Sequence, residues 1–378
     1  MLMWYIILLV VIAATAAGLI YLSLRLSRFA FMEKFGRNRP KCRKFIGFFI
    51  VILIFTALSL TINLMNAVVC LLHFVVFWIL SDFVFGLIEH LRKKRFKHYY
   101  AGICAVLLSL ISLSAGWYLN HNVRATVYHL ETDKKIEDLR IILFADSHIG
   151  TTFDAAGFAE HLHKMQSFNP DIILIAGDFV DDGTSRAEMT AAVRALGNIK
   201  TKYGVYFAFG NHDKGYHDPA VRGFTGEDLA AELQKNNITI LEDETQLLNN
   251  MFYIAGRKDS SEILRGNPRL EMKNLVEKLD KQKFIIILDH QPNDYKNQSE
   301  TGVDLVLSGH THGGQLFPLN KIGEWIGAND KTYGYEKRNR TNFIVTSGLS
   351  DWAIKFKTGT ISEFVVIDLK SKPADKAQ

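Results

Sequence analysis

The sequence predicts an α/β domain placed behind four membrane-spanning helices. It divides into apolar helices over 1–120, a linker with a first strand over 121–137, the α/β domain over 138–370 and a disordered tail over 371–378. Three observations predict this. Membrane-length apolar runs alternate with short basic blocks before residue 120 and are absent after it. Beyond that point, short apolar runs alternate with helical patterns, as they do in an α/β sheet. Five of those runs stop at a cluster of Asp, Asn or His.

The apolar elements come first. Residues 2–24 carry no charge and are long enough to cross roughly 30 Å of hydrocarbon. A cleaved signal peptide would begin with positive charge, whereas here the basic block follows the run. The stretch 45–90 is too long for one span, and Asn63 and Asn66 divide it into helices at 45–64 and 67–90. A fourth span covers 99–119 and ends in Trp117 and Tyr118, an interfacial pair. His73, Asp82 and Glu89 lie within or near the third span and read as hydrogen-bonding partners of neighbouring helices or the interface.

Two basic blocks flank these spans. One holds Arg25, Arg28, Lys34, Arg37, Arg39, Lys41, Arg43 and Lys44, the other Arg92, Lys93, Lys94, Arg95 and Lys97. Most of the net charge of +5 sits there, so the blocks read as topology signals first and anionic-lipid contacts second. The positive-inside rule puts both loops in the cytoplasm and the domain after residue 120 outside it. The soluble half has no dense basic stripe, which argues against nucleic acid as a partner. Cys42, Cys70 and Cys104 all precede residue 120, and their spacing fits neither a disulfide framework nor a metal site.

In the soluble half, Leu139–Phe144 stops at Ala145-Asp146-Ser147-His148, and Asp171–Ala176 at Gly177-Asp178-Phe179-Val180-Asp181. Tyr203–Phe209 stops at Gly210-Asn211-His212-Asp213, and Phe284–Leu288 at Asp289-His290. Val303–Leu307 stops at Ser308-Gly309-His310-Thr311-His312-Gly313-Gly314-Gln315. Ligands of α/β sheets bind beyond the carboxyl ends of strands, so these clusters converge. Carboxylate, amide and imidazole donors together suit Mn, Zn or Fe, and a shared carboxylate can bridge two such ions.

In this order, the clusters resemble the signature of the calcineurin-like metallophosphoesterase superfamily across 138–370. The forms Gly177-Asp178-Phe179-Val180-Asp181 and Gly309-His310-Thr311-His312-Gly313-Gly314-Gln315 are similar to its membrane-attached branch, bacterial and vertebrate. The resemblance implies a sandwich of two mixed β-sheets flanked by helices, and two divalent metal ions. It implies that Asp146, His148 and His312 bind the first ion and that Asp178 bridges. Asn211, His290 and His310 would bind the second. His212 would meet the scissile phosphate or protonate the leaving group, and Asp213 would orient His212. The nucleophile would be a hydroxide held between the ions. Asp181 has two open readings, orienting a histidine or capping a turn.

Other residues carry weaker expectations. Arg257, Lys258 and Asp259 read as a solvated strand end with a substrate phosphate as the alternative, and His217 as a residue near the site. The family's arginine after Gly348–Leu349 is missing, and Lys355 or Lys357 would stand in for it. The expected function is a multi-pass, cell-membrane, metal-dependent phosphoesterase with its catalytic domain outside the cytoplasm. Its substrate would be a phosphodiester or pyrophosphate, a lipid or another envelope phosphate ester. The competing reading is a membrane sensor or binding module that keeps the domain without turnover.

Overall fold

The computed structural model describes residues 2–35 and 39–372. Two compact units result, Met1–Trp117 with Ala353–Lys355, and Tyr118–Trp352 with Phe356–Gln378. Arg37 of the first basic block, and 373–378 of the expected tail, lie outside the described residues.

The first unit consists of α1 (Leu2–Leu26), the single turn α2 (Ala30–Glu33), α3 (Pro40–Ile62), α4 (Leu64–Arg92) and the membrane part of α5 (Tyr100–His121). The four long helices have the length and apolarity needed to cross a membrane. Helix α3 starts at Pro40, ahead of the expected 45, because proline is well tolerated in a first turn. Asn63 separates α3 from α4: its φ is 94°, and its Oδ1 accepts the Asn66 N–H at 2.9 Å. Asn66 is buried within α4, donating to the Ala353 carbonyl at 2.8 Å and accepting the Lys355 N–H at 2.8 Å. The polar group Asp82 is fully engaged: Arg25 Nε lies 2.9 Å away, and the hydroxyls of Tyr21 and Tyr99 donate to it at 3.2 and 2.8 Å. His73 Nδ1 meets the carbonyl of Val69, one turn back, at 2.8 Å.

The second unit is a sandwich of two six-stranded sheets. The first sheet contains β1 (Arg124–Thr132), β2 (Leu139–Phe144), β3 (Ile172–Ala176), β4 (Val205–Ala208), β5 (Ile238–Ile240) and β12 (Glu363–Ser371), in the order β1-β12-β2-β3-β4-β5. The second contains β6 (Glu244–Leu248), β7 (Phe252–Gly256), β8 (Phe284–Leu288), β9 (Leu305–Ser308), β10 (Gly334–Arg338) and β11 (Thr341–Val345), in the order β10-β11-β9-β8-β7-β6. β2 to β5 run parallel to one another, as do β7, β8, β9 and β11.

Three apolar layers explain why the central strands read as continuous apolar runs: both faces of each sheet are covered. Ile141, Leu143, Ile172 and Leu174 meet Ile254, Ile286 and Leu307 between the sheets. Ile142, Phe144, Ile173 and Ile175 face Phe158 and Leu162 of α6 (Ala155–Gln166) and Met189 and Leu196 of α7 (Arg186–Gly197). Ile285, Ile287 and Val306 face Met272, Leu275 and Tyr295 on the far side. Burial of such side chains contributes roughly 1.5–3 kcal/mol each. The unit begins before the expected 138, because β1 pairs with β12 from Arg124↔Glu363 to Thr132↔Ser371. Ser371, expected in the tail, is thus the last strand residue, and the Lys372 N–H bonds the Thr132 carbonyl at 2.8 Å.

Candidate metal centre

Every expected ligand leaves a strand at its carboxyl end. Asp146 and His148 follow β2, Asp178 follows β3, Asn211 and His212 follow β4, His290 follows β8, and His310 and His312 follow β9. The turns are sharp. Asp146, His148, Asp178, His310 and His312 all have positive φ, between 37° and 71°. Such backbone is costly for residues with a Cβ and is concentrated at functional sites. Two glycines allow the turns to approach one another. A Cβ on Gly210 would lie 2.2 Å from Asp178 Oδ1, and one on Gly309 would lie 2.5 Å from Asp146 Oδ2.

The side chains gather in overlapping groups. Asp146, His148 and His312 form one, His148, Asp181 and His212 a second that shares His148 with it, and Asp178, His290 and His310 a third, each with its potential ligand atoms within 4.8 Å of one another. Asp178 lies between the first and the third, 3.1 Å from His290 Nε2 and 3.8 Å from His148 Nε2. Asn211 Oδ1 is 3.1 Å from His290 Nε2.

The donor orientation fits a cation. His290 presents Nδ1 to the Ala176 carbonyl at 2.7 Å, and His312 presents Nδ1 to the Ser350 carbonyl at 3.2 Å. A ring nitrogen facing a carbonyl must donate, which leaves Nε2 facing the oxygens of the site. His290 Nε2 therefore points at Asp178 and Asn211, an arrangement that needs a proton or a metal between them. His148 is wholly buried; its Nδ1 faces Asp181 at 3.5 Å, and its Nε2 has no hydrogen-bond partner. Buried polar atoms without partners are costly, and a bound cation would satisfy this one.

The charge balance is consistent. Burial pushes Asp146 up to about 6, and the neighbouring Asp178 charge adds to this. Asp178 faces the same burial, yet His290 and His148 hold it well below the usual carboxylate range. Burial would lower His290, but Asp178 outweighs burial and raises it well above a free imidazole. Burial, then the charge of His290, lowers His310 to about 4. Burial, then His148, lowers His312 well below its ordinary value.

One role differs from expectation. Asp213 does not orient the His212 ring. It is wholly buried, and its carboxylate accepts the backbone N–H groups of Asp178, Phe179, Val180 and Gly210, so it clamps the Gly177–Val180 turn to the Gly210 turn. The His212 ring instead faces Asp181: Nδ1 is 3.3 Å from Asp181 Oδ1, while Asp181 Oδ2 is 3.5 Å from His148 Nδ1. The helix cap of α7 is Ser185, whose side chain accepts the Glu188 N–H.

Arg257 is neither solvated nor free for a substrate. It is buried and pairs with Asp289 at 3.1 Å and Asp294 at 2.5 Å, while Arg269 pairs with the other oxygen of Asp289 at 2.5 Å. Asp259 is also buried, accepting from Gln291 Nε2 at 3.0 Å. Lys357 is wholly buried, its Nζ donating to the Ser347 carbonyl at 2.8 Å, so it does not take the place of a phosphate-binding arginine. His217 is exposed.

Four residues around the site were not singled out by sequence. The Tyr216 hydroxyl accepts from Asn211 Nδ2 at 2.8 Å, fixing the amide with its oxygen toward His290. The Tyr216 and Trp352 rings flank His212, with centroids 5.0 and 5.6 Å from it. Arg222 donates to the Asp213 carbonyl at 3.0 Å and Arg265 to the Gly215 carbonyl at 2.7 Å. Only the closeness of Tyr216 to Asn211 in sequence was a usable signal.

Residues 139–314 match the family model described as calcineurin-like phosphoesterase. An uncharacterized metallophosphoesterase of Campylobacter jejuni is 30% identical over 314 residues, covering 80% of this chain and 79% of that protein. The chain belongs to the metallophosphoesterase family. It is therefore one of a family of phosphoric ester hydrolases, and its Asp/His groups are those of a divalent-metal site. A transmembrane protein with a metallophosphoesterase domain from Danio rerio is 30% identical over 245 residues, covering 63% of this chain and 54% of that protein. A dimetal phosphatase of known structure, also from Danio rerio, superposes on 55% of this metallophosphoesterase and 86% of its own chain, with 11% identity and a TM-score of 0.33.

Proposed function

We propose that this membrane-anchored metallophosphoesterase hydrolyses a phosphodiester or pyrophosphate of a lipid or cell-envelope substrate, with its catalytic domain on the extracytoplasmic side. One observation carries the reading. Seven candidate ligands come from five strand ends, and Asp178 lies 3.1 Å from His290 Nε2 in its own group and 3.8 Å from His148 Nε2 in the neighbouring one, which supports a carboxylate shared between two ions. Asp146, His148 and His312 would hold one divalent ion, and Asn211, His290 and His310 the other. When bound, such ions lower the pKa of water and neutralise charge on phosphate oxygens.

The chain's own residues do the rest. Nδ1 of His212 faces Asp181 and donates to it, so in the imidazolium form the Nε2–H would donate to a phosphate oxygen or pass its proton to the departing alkoxide. Asp213 holds the turns that carry Asp178 and Asn211 in place. The exposed rings of Tyr216 and Trp352 flank His212 and would border a substrate placed there. The lipid or envelope class is supported by the four membrane-length helices, which would keep the enzyme at a lipid surface.

The test is hydrolysis of bis(p-nitrophenyl) phosphate and of the monoester by the full-length chain in detergent, with added Mn²⁺ or Zn²⁺. Metal-dependent diester cleavage, lost in Asp178→Ala and His212→Ala, is the expected result. An inactive parent that binds no metal would sink the reading. Reporter fusions at residue 122 test the side of the membrane, and cytoplasmic reporter activity would reverse the orientation.

A further inference from the structure

We propose that the helical unit carries a binding site for an anionic glycerophospholipid, built where α1 ends and α4 turns into α5. The end of α1 and the start of α5 sit side by side against α4, because the Asp82 side chain ties α4 to Arg25 near the end of α1 and to Tyr99 just before α5. Trp78 Nε1 donates to the Tyr99 hydroxyl at 2.8 Å, and the Phe29 ring packs edge-on against Trp78 and Tyr99 at 6.1 and 5.4 Å. The walls are thus braced by buried polar contacts and aromatic packing rather than left loose.

They enclose a cavity of about 670 Å³ whose lining includes Arg25, Arg28, Arg95 and Lys97 together with Asp82 and Glu89. Both carboxylates are already committed. Asp82 is taken by Arg25 and two tyrosines, and Glu89 Oε1 accepts the Phe96 N–H at 2.8 Å. Among the described residues, no carboxylate lies within ion-pair distance of Arg28, Arg95 or Lys97, all of which are exposed. The Arg28 guanidinium is held over the Tyr99 ring at 5.7 Å, so it is positioned although it has no anionic partner. Three unmatched cations on one cavity are complementary to a phosphate that carries negative charge.

An adjoining cavity of about 560 Å³ distinguishes a lipid from a free phosphate. It shares Phe85, Arg95, Phe96, Lys97 and Tyr100 with the first and adds Ile103 and Cys104 beside the basic Arg92 and Lys94. Phe96 stands between the two, packed against Phe85 at 5.5 Å and Tyr100 at 5.6 Å. A headgroup phosphate at the basic end would put its glycerol and first acyl carbons along Phe85 and Ile103, at the depth where the apolar spans begin. Basic residues at a bilayer surface contribute about 1 kcal/mol each to anionic-lipid binding, so losing three should weaken binding by roughly 100-fold.

The experiment is native mass spectrometry of the full-length chain in detergent, titrated with phosphatidylglycerol, phosphatidylcholine or inorganic phosphate. The expected result is a preference of at least about ten-fold for phosphatidylglycerol over phosphatidylcholine. It should disappear in Arg28→Gln/Arg95→Gln/Lys97→Gln and persist in Lys41→Gln/Arg43→Gln/Lys44→Gln, which removes as much charge outside the cavity. Equal loss in both variants would reduce the effect to general electrostatics and overturn the site. Displacement of phosphatidylglycerol by inorganic phosphate would overturn the lipid assignment. Should the first variant fail to give monodisperse protein, Arg95→Gln and Lys97→Gln alone must each weaken the preference, and an unchanged preference in both overturns the proposal. None of these readouts depends on catalysis.

Discussion

Asp181→Asn separates a catalytic role for this carboxylate from a turn-forming one. Asp181 reaches two imidazoles at once, His212 Nδ1 at 3.3 Å and His148 Nδ1 at 3.5 Å. Those two interactions hold the carboxyl well below its usual range although burial opposes this, so it is ionised at any working pH. Asparagine keeps the shape and one acceptor for the Asp182 N–H, which bonds Oδ1 at 2.5 Å. It removes the charge and turns an amide N–H toward one of the two rings. Outer partners of metal-bound histidines contribute 10–100-fold in affinity or activity, and this one serves both a ligand and the proposed proton donor. The expected loss is near the upper end, about 100-fold, or roughly 2.7 kcal/mol. The assay is kcat and KM for the diester at saturating metal, with metal affinity by equilibrium dialysis and elemental analysis. Weaker metal binding reports His148, and a lower kcat that excess metal does not restore reports His212. The melting temperature should stay near the parent's, because asparagine also forms turns. A variant whose kcat and metal affinity both stay within about two-fold of the parent would refute the argument.

Three further outcomes are expected. Asp289→Ala leaves the guanidinium groups of Arg257 and Arg269 buried without their shared carboxylate, and should destabilise the domain by about 3–5 kcal/mol in denaturant melts, more than Asp294→Ala does. Metal loading should release protons and tighten as pH rises, because Asp181 and Asp178 keep His148 and His290 protonated to higher pH than a free imidazole although burial opposes this. Titration calorimetry in two buffers of different ionisation enthalpy reads the release, and a pH-independent affinity would contradict it. Burial lowers Lys357 from its ordinary 10.5 to about 8. The unfolded chain then holds more protons between those values, so stability should rise with pH across that window by roughly 3 kcal/mol, and Lys357→Met should remove that part of the slope.

What sequence could reveal follows from how far apart the interacting residues lie. The central strands were legible because coverage on both faces demands unbroken apolar runs, as in Ile172–Ala176 and Phe284–Leu288. The positions of the candidate ligands were legible because each is local to its own strand end. Longer-range pairings left no such trace. β1 joins β12 from the opposite end of the domain, and Arg257 is buried only because Asp289 and Asp294 come from a different turn. Asp213 shows the limit most clearly. Its place beside His212 implied a contact between their side chains, but as adjacent residues on a tight turn they point different ways, and the carboxylate meets the N–H groups of Asp178, Phe179 and Val180 instead. Asp181, with no motif of its own, is left to face both His148 and His212. The residue that sequence assigned to the histidine therefore holds the backbone, and the one it left open lies against the ring. Substituting the two should accordingly fail in different ways. Asp213→Asn should loosen the turn and lower the melting temperature, because three of its four N–H partners come from one segment. Asp181→Asn should lower the rate and leave the fold intact.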